Sequence, residues 1–544
     1  VTPSPTRTAF DRAQAHTRLV EEEFDVLVIG GGITGAGVAL DAAARGLRTA
    51  LVERDDFASG TSSKSSKLVH GGLRYLQQKE YFLVYENLAE RQRLLNNAPH
   101  LVKVLPFLIP IFGRGGVVNK SVAKIYRTAL WLYDLTGGLR IGKRHKRLTT
   151  DEAVAHMPTL NRDLLAAAFL YYDAQADDAR LTLTIARTAV LDHGAVALNY
   201  APVTDLLKDP SGAVIGARLA DGTEVHAAVV VNATGVWADK VRAIDEGADP
   251  DTIRPAKGIH IALPWDKVRC DIAAVVPVPK DRRSIFVVPW GDRVYLGTTD
   301  TDYDGPLDDP QCTPDDVDYI IGALNTFVTE PVSANDVLGT WAGLRPLVKR
   351  AGSERTADLS RRHSVTTSAS GMITVTGGKL TTYRKMAEDT VDAVVSKLGR
   401  KGAAKRSPTK RLPLRGAAAT DGDLGLAPDV AEHLRSRFGS EARVVAAMLE
   451  ADPELARPLV ATLPYLRAEA VYAARYEMAH TLDDVLARRT RAVLLARDEA
   501  DAAALDVANL LASELGWTPA ETDAQVQQFR AAVAHSRQWE AVAP

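Results

Sequence analysis

Residues 24–53 read FDVLVIGGGITGAGVALDAAARGLRTALVE, and the rest of the chain is organised around them. The first six residues form a short apolar run of the length of a buried parallel strand. Gly30, Gly31, Gly32 and Gly35 follow, then an alanine-rich stretch over 33–45 with high helix propensity, then a second apolar run over 47–53 that ends on an acid. Strand, tight turn, helix and strand in that order make a dinucleotide-binding unit. Gly30 permits the sharp turn, Gly32 lets the backbone approach a pyrophosphate at the helix N-terminus, and Gly35 lets helix and strand pack closely. Glu53 stands where a carboxylate accepts hydrogen bonds from ribose hydroxyls, and its charge disfavours the 2′-phosphate of NADP.

A chain of 544 residues is too long for one core and predicts about three domains. With 46% apolar and 25% charged residues the composition is that of a soluble globular protein, and a net charge of -2 points to no polyanionic partner such as nucleic acid. Two cysteines, Cys270 and Cys312, without metal-ligand spacing, predict neither a disulfide scaffold nor a metal site and suit a reducing compartment. Residues 1–20 lack a signal-peptide core and read as a flexible tail. The run VLPFLIPIF near residue 105 is too short to span a bilayer, so the expected location is the cytoplasm or a membrane's cytoplasmic face.

After Glu53 comes a polar loop with Thr61, Ser62, Ser63, Ser65 and Ser66, then His70-Gly71-Gly72, which suggests backbone pressed against a flat group such as a flavin. SSKLVHGGLRYL, WAGLRPL at 341–347 and VTGGKLTTYRKMAE at 375–388 together resemble the FAD-dependent, quinone-linked glycerol-3-phosphate dehydrogenases, over about residues 22–400 and more weakly beyond. The resemblance implies an α/β fold: a Rossmann-like FAD-binding domain of the amino-acid-oxidase/glutathione-reductase type, an inserted α+β substrate domain and an all-α C-terminal domain. The expected division places 21–76, 172–244 and 340–398 in the FAD-binding part and 77–171 with 245–339 in the cap. A linker over 399–411 and helices over 412–544 follow.

Several local readings fill in this outline. Residues 81–97 and 177–194 read as helices, and VVVNATGVWAD near Val229 as a buried strand ending at a small-residue turn. Ala233 and Gly235 are candidate cofactor contacts there, and Val203 in the PVTDLLK strand is another, although such a turn requires glycine in any case. SIFVVPW and RVYLGTTD form a hairpin across Gly291-Asp292. A helix is expected from about Tyr383 to Leu398, and Thr481 with Asp484, Thr518 with Glu521, and Gly516 read as helix caps. Residues 119–147 hold eight Lys or Arg against the single acid Asp134, with apolar residues at helical spacing opposite Lys120, Lys124, Arg127 and Trp131. That face suits either anionic lipid or an ordinary solvated surface.

Oxidising an alcohol with a flavin needs a base for the hydroxyl proton and an anchor that holds the substrate in register. For a phosphate anchor the resemblance picks out Arg74, Tyr75, Arg345, Arg361 and Lys379, with Arg362 as a substitute for Arg361; Lys379, with the helix end after VTGGKLTT, is also expected to stabilise the negative charge that gathers on the flavin as it is reduced. Arg74 and Arg345 could instead cap carbonyls. For the base, His260 in KGIHIAL stands on the strand face opposite Ile259 and Ile261, against the alternative of a hydrogen-bonded core histidine; Arg345 could share or replace the role. The cofactor contacts expected are Gly30, Gly32, Gly35, Glu53, Thr61, Ser62, Ser66, His70, Gly72, Val203, Ala233, Gly235, Gly377, Gly378, Lys379, Leu380 and Thr381. The resemblance implies oxidation of sn-glycerol 3-phosphate by FAD, with electrons passed to a membrane quinone from a peripheral dimer on the inner membrane's cytoplasmic face. An oxidase using oxygen, a flavin amine or amino-acid oxidase and a non-catalytic flavoprotein scaffold are the rivals.

Overall fold

The computed structural model describes residues 10–72, 80–113, 128–134, 141–279, 283–349, 362–399, 406–418 and 422–542. Arg74, Tyr75, Arg361 and most of the basic region 119–147 therefore lie outside the described residues.

The apolar run Phe24–Ile29 is buried at every position and forms the centre of a sheet. Its neighbours on the two sides are Thr49–Val52 and Glu224–Asn232, both parallel to it. Val196–Leu198 extends the sheet beyond Thr49–Val52, and Ile373–Thr376 extends it beyond Glu224–Asn232. Ser364–Thr367 closes that edge by antiparallel pairing. Strands buried on both faces need apolar cover on both, and the helices Ile33–Ala44, Asp178–Leu191 and Tyr383–Leu398 pack together in one covering layer. Each buried Val, Leu or Ile contributes about 1.5–3 kcal/mol relative to exposure, so this cluster is the main source of stability for the nucleotide half.

A second, larger sheet is mostly antiparallel. Ile253–Pro264 is its longest hub, paired with Arg293–Gly297 on one side and Gly339–Val348 on the other. Ser284–Trp290 and Arg293–Gly297 form the expected hairpin, turning at Gly291. Ala273–Pro277 then joins Val102–Phe112, which pairs along its whole length with Leu165–Ala176. Gly339–Val348 and Leu165–Ala176 thus belong to this sheet. Within 340–398, the stretch expected to belong to the FAD-binding part, the first strand pairs in this second sheet, and Ser364–Thr367 and Ile373–Thr376 pair in the first.

The N-terminus differs from the expected tail: Arg12–Glu21 is a helix. Asp11 caps it by accepting from the Gln14 N–H, and Phe10, Ala15 and Leu19 are buried in the core of the first sheet. Its polar remainder hides this short apolar face. The expected linker is also docked in part, since the hydroxyls of Ser407 and Thr409 both donate to the buried Asp41.

Beyond it the chain is helical, with Arg467–Tyr476, Arg497–Leu515 and Pro519–Ser536 the main packed elements. Thr518 and Glu521 form a complete capping box and Gly516 ends the preceding helix in the left-handed conformation. Among the described residues no helix is long and apolar enough to cross a membrane.

Candidate active site

The two sheets face each other across a cavity of about 880 Å³. One end is built by the first strand and its turn. Gly30 adopts φ +108°, and a β-carbon there would come within 2.8 Å of the Ala233 carbonyl oxygen, so two strand ends meet at backbone contact. A β-carbon on Gly35 would run into the Gly30 carbonyl; this glycine lies beneath the turn and does not line the cavity. Gly32 begins the helix Ile33–Ala44 without a side-chain cap of its own, leaving a positive helix end toward the cavity. The Ser62 hydroxyl takes the Ile33 N–H at 2.9 Å.

Glu53 accepts from the backbone N–H groups of Gly31 at 2.6 Å and Asp55 at 2.9 Å. Burial nevertheless pushes its carboxyl up to about 7, because those two bonds only partly replace lost water. Gly235 at φ +61°, Ala233 and Val203 line the same end. A strap not anticipated from the sequence crosses here: the Trp237 indole N–H donates to Asp308 at 2.8 Å, and Arg54 pairs with the same carboxylate at 2.9 Å.

The other end is made by the turn Gly377-Gly378-Lys379 and the short helix Leu380–Thr382 that leads into Tyr383–Leu398. Both glycines have positive φ. The Thr381 hydroxyl accepts from the His70 N–H at 3.2 Å, tying this turn to the His70-Gly71-Gly72 backbone. Thr61, Ser66, His70, Gly72, Gly377, Gly378, Lys379, Leu380 and Thr381 all line the cavity, as do Gly30, Gly32, Glu53 and Ser62. A helix start with a carboxylate beside it at one end, its first N–H held by Ser62, and a glycine turn with a lysine and a second helix start at the other, fit the diphosphate and ring of FAD.

Over the ring end lies the second sheet. His260, 2% exposed, stacks parallel on Trp341, directly opposite it on the neighbouring strand, with ring centres 4.9 Å apart. Its Nε2 is 2.8 Å from the Ser66 hydroxyl. Burial first, then the charges of Lys67 and Arg345, hold the imidazole well below its ordinary pKa, so it is neutral at working pH. Arg345 comes from the same strand as Trp341. It donates to Asp300 at 3.1 Å, to the Thr298 hydroxyl at 3.2 Å and to the Thr299 carbonyl at 3.1 Å. The expected anchor is therefore already paired with a carboxylate, which a bound dianion must share.

His260, Arg345 and Lys379 thus line one hollow. Arg362, the substitute for Arg361, lines it too while donating to Glu80 at 3.0 Å. Lys64, Arg283, Phe286, Trp237 and the run Thr298-Thr299-Asp300 line it without having been singled out. The last of these had a readable signal, since GTTD ends the strand Arg293–Gly297 with three polar residues in a row.

Comparison with known proteins agrees with this geometry. The family model described as FAD dependent oxidoreductase matches residues 25–384, and the C-terminal domain of alpha-glycerophosphate oxidase matches 407–522. Glycerol-3-phosphate dehydrogenase 2 of Mycobacterium tuberculosis is 43% identical over 539 residues, covering 96% of this chain and 90% of the relative. The human mitochondrial glycerol-3-phosphate dehydrogenase is 39% identical, covering 95% and 74%. The crystal structure of the glycerol-3-phosphate dehydrogenase from Bacillus halodurans complexed with FAD superposes with a TM-score of 0.78 at 31% identity, over 97% of this chain and 98% of that one. An L-alpha-glycerophosphate oxidase from Mycoplasma pneumoniae, 17% identical with a TM-score of 0.54, shares the fold. With a cavity shaped for a dinucleotide and relatives that match 95–97% of its length, the chain belongs to the FAD-dependent glycerol-3-phosphate dehydrogenases.

Proposed function

We propose that this protein oxidises sn-glycerol 3-phosphate to dihydroxyacetone phosphate and delivers the electrons to a membrane quinone. The observation that carries the reading is that His260 and Arg345, on the adjacent strands Ile253–Pro264 and Gly339–Val348, line the same cavity that begins at the Gly30 turn. Bound FAD supplies the acceptor for the hydride leaving the substrate's carbinol carbon. Gly30, Gly32, Glu53, Thr61 and Ser62 hold its nucleotide half, with Val203, Ala233 and Gly235 alongside. Ser66, His70, Gly72 and the turn from Gly377 to Thr381 hold the ring half.

Lys379 and Arg345, with Arg74, Tyr75 and Arg361 from outside the described residues, grip the phosphate, because several converging cations and bidentate arginines suit a dianion. An amino-acid substrate needs one arginine for its carboxylate, so this set of cations favours the phosphate ester. His260 accepts the hydroxyl proton at a nitrogen kept unprotonated by burial, and Arg345 stabilises the negative charge that develops on the oxygen as the proton leaves.

A peripheral position on the inner membrane's cytoplasmic face, and a dimer, complete the reading. Its support is the exposure of Trp131 at 61% and Phe82 at 68% on two helical segments whose other faces, at Leu130 and Val84, are buried together. The test is turnover of the purified protein with glycerol 3-phosphate and a soluble quinone analogue under air. Dihydroxyacetone phosphate formed in step with quinone reduction supports the proposal, and hydrogen peroxide formed in step with substrate loss makes the protein an oxidase.

A further inference from the structure

The Ser66 hydroxyl that meets His260 belongs to a turn held from a distant part of the chain. Asp178, at the start of the helix Asp178–Leu191, is fully buried and accepts from the Ser65 N–H at 2.9 Å and the Ser65 hydroxyl at 2.7 Å. Its other oxygen takes Lys67 Nζ at 3.1 Å and the guanidinium of Arg491. Arg491 comes from the C-terminal helices and is 1% exposed. It also donates to Asp177 at 2.7 Å and to the Ser63 carbonyl at 3.2 Å. Upstream, Arg489 and Arg488 from the same region grip Asp56.

Two features separate this cluster from an ordinary buried ion network. First, Lys67 and Arg491 both hold positive φ, +55° and +64°, which residues with side chains rarely adopt, and their side chains converge on the same carboxylate oxygen. Second, the turn they fix touches His260 from two sides. Ser66 Oγ lies on its Nε2, and Trp341, whose indole N–H donates to the Ser65 carbonyl at 3.2 Å, carries its ring face. The Tyr295 hydroxyl donates to the Ser66 carbonyl at 2.9 Å and completes the frame. Asp178, Arg491 and Lys67 do not line the cavity, so apart from the charge that Lys67 sets beside His260 any effect they have on the reaction passes through the turn.

We propose that Arg491 and Asp178 are positioning residues for the reaction: acting through Ser65 and Lys67, they fix the Ser66 hydroxyl and the imidazole of His260 in one arrangement. The C-terminal helices are then part of the catalytic apparatus. The proposal rests on the reading of His260 as the proton acceptor. A base displaced by an ångström loses on the order of 10²-fold, so the variants should fall by roughly 10- to 100-fold.

The test is the rate of flavin bleaching by glycerol 3-phosphate, measured anaerobically on flavin-loaded Ser66→Ala, Asp178→Asn and Arg491→Lys, each alone and combined with His260→Asn. Flavin content and thermal midpoint identify any variant that has failed to fold, and Ser66→Ala, the mildest change, keeps the test decisive if the buried pair does not tolerate substitution. The expected result is a 10- to 100-fold loss in each single variant, a substrate Kd within about 3-fold of the parent, and less than about a 2-fold further loss in the His260→Asn background. Equal losses in both backgrounds, or single variants at the parent rate, overturn the positioning role. A near-normal rate for His260→Asn alone removes the reading of His260 as base, and the proposal with it.

Discussion

Replacing Gly258 by alanine tests the placement of Arg345 without touching Arg345 itself. Gly258 lies opposite Gly343 in the strand pair that also carries His260 and Arg345, and the guanidinium of Arg345 fills the space above it. A β-carbon at 258 would stand 2.5 Å from Arg345 Nη2 and 2.5 Å from the Thr298 hydroxyl oxygen. Carbon and nitrogen rest about 3.5 Å apart, so the guanidinium must retreat by about 1 Å. The displaced atoms are the far end of a flexible side chain, and the backbone can keep its course. The retreat breaks the bonds to Thr298 at 3.2 Å and Thr299 at 3.1 Å, and with them the alignment of the charge that meets the substrate. A misplacement of about 1 Å costs about 10²-fold, or about 2.7 kcal/mol of transition-state stabilisation. Rapid mixing of the anaerobic flavoprotein with glycerol 3-phosphate gives the bleaching rate and the substrate Kd, and flavin released on denaturation reports the state of the cofactor end. A bleaching rate within 3-fold of the parent at full flavin content would show that this arrangement of Arg345 is not needed.

Three further outcomes follow from the same geometry. His260→Asn should lower turnover by about 10²- to 10⁴-fold with flavin content unchanged, read by steady-state assay and absorbance; a near-normal rate removes His260 from the mechanism. Because burial and two cations hold His260 well below 6.5, its proton-accepting form persists as pH falls, so kcat/KM should show no His-type inflection between pH 6 and 8. A slope of one that sets in between pH 6 and 8 in the parent, and is absent in His260→Asn, contradicts that environment. Glu53 titrates near 7 in the flavin-free fold against 4.5 in an unfolded chain, so protonation stabilises the apoprotein; this contribution is complete below about pH 4.5 and is lost as pH rises through 7. The fall in apoprotein Tm between pH 5 and 8 should be smaller in Glu53→Gln, and an identical pH dependence in the two proteins excludes the shift.

What could be read from the sequence was local and periodic. The Gly30-to-Gly35 spacing announced a turn between strand and helix, and the helix Tyr383–Leu398 and the hairpin at Gly291 carry their own boundaries in glycine and apolar spacing. Sheet membership was less legible: Gly339–Val348 follows no pattern that distinguishes one sheet from the other, and its place is set by pairing with Ile253–Pro264, some 80 residues earlier. The helix Arg12–Glu21 was hidden because three buried side chains anchor an otherwise polar segment.

At the site, the histidine and the arginine were visible as residue types, but the Asp300 carboxylate on Arg345 and the Ser66 hydroxyl on His260 were not. Nor could spacing reveal the convergence of Lys67 and Arg491 on Asp178, since the partners lie 111 and 313 residues from it. Ion pairs of that span leave no period in a sequence.

The most direct test of the account is an anaerobic titration of the flavin-loaded protein with sn-glycerol 3-phosphate, with unphosphorylated glycerol in parallel. The account predicts full bleaching of the flavin by the phosphate ester at stoichiometric turnover and none by glycerol at the same concentration. Equal bleaching by both would contradict the cationic anchor, and no bleaching by the phosphate ester would contradict the function itself.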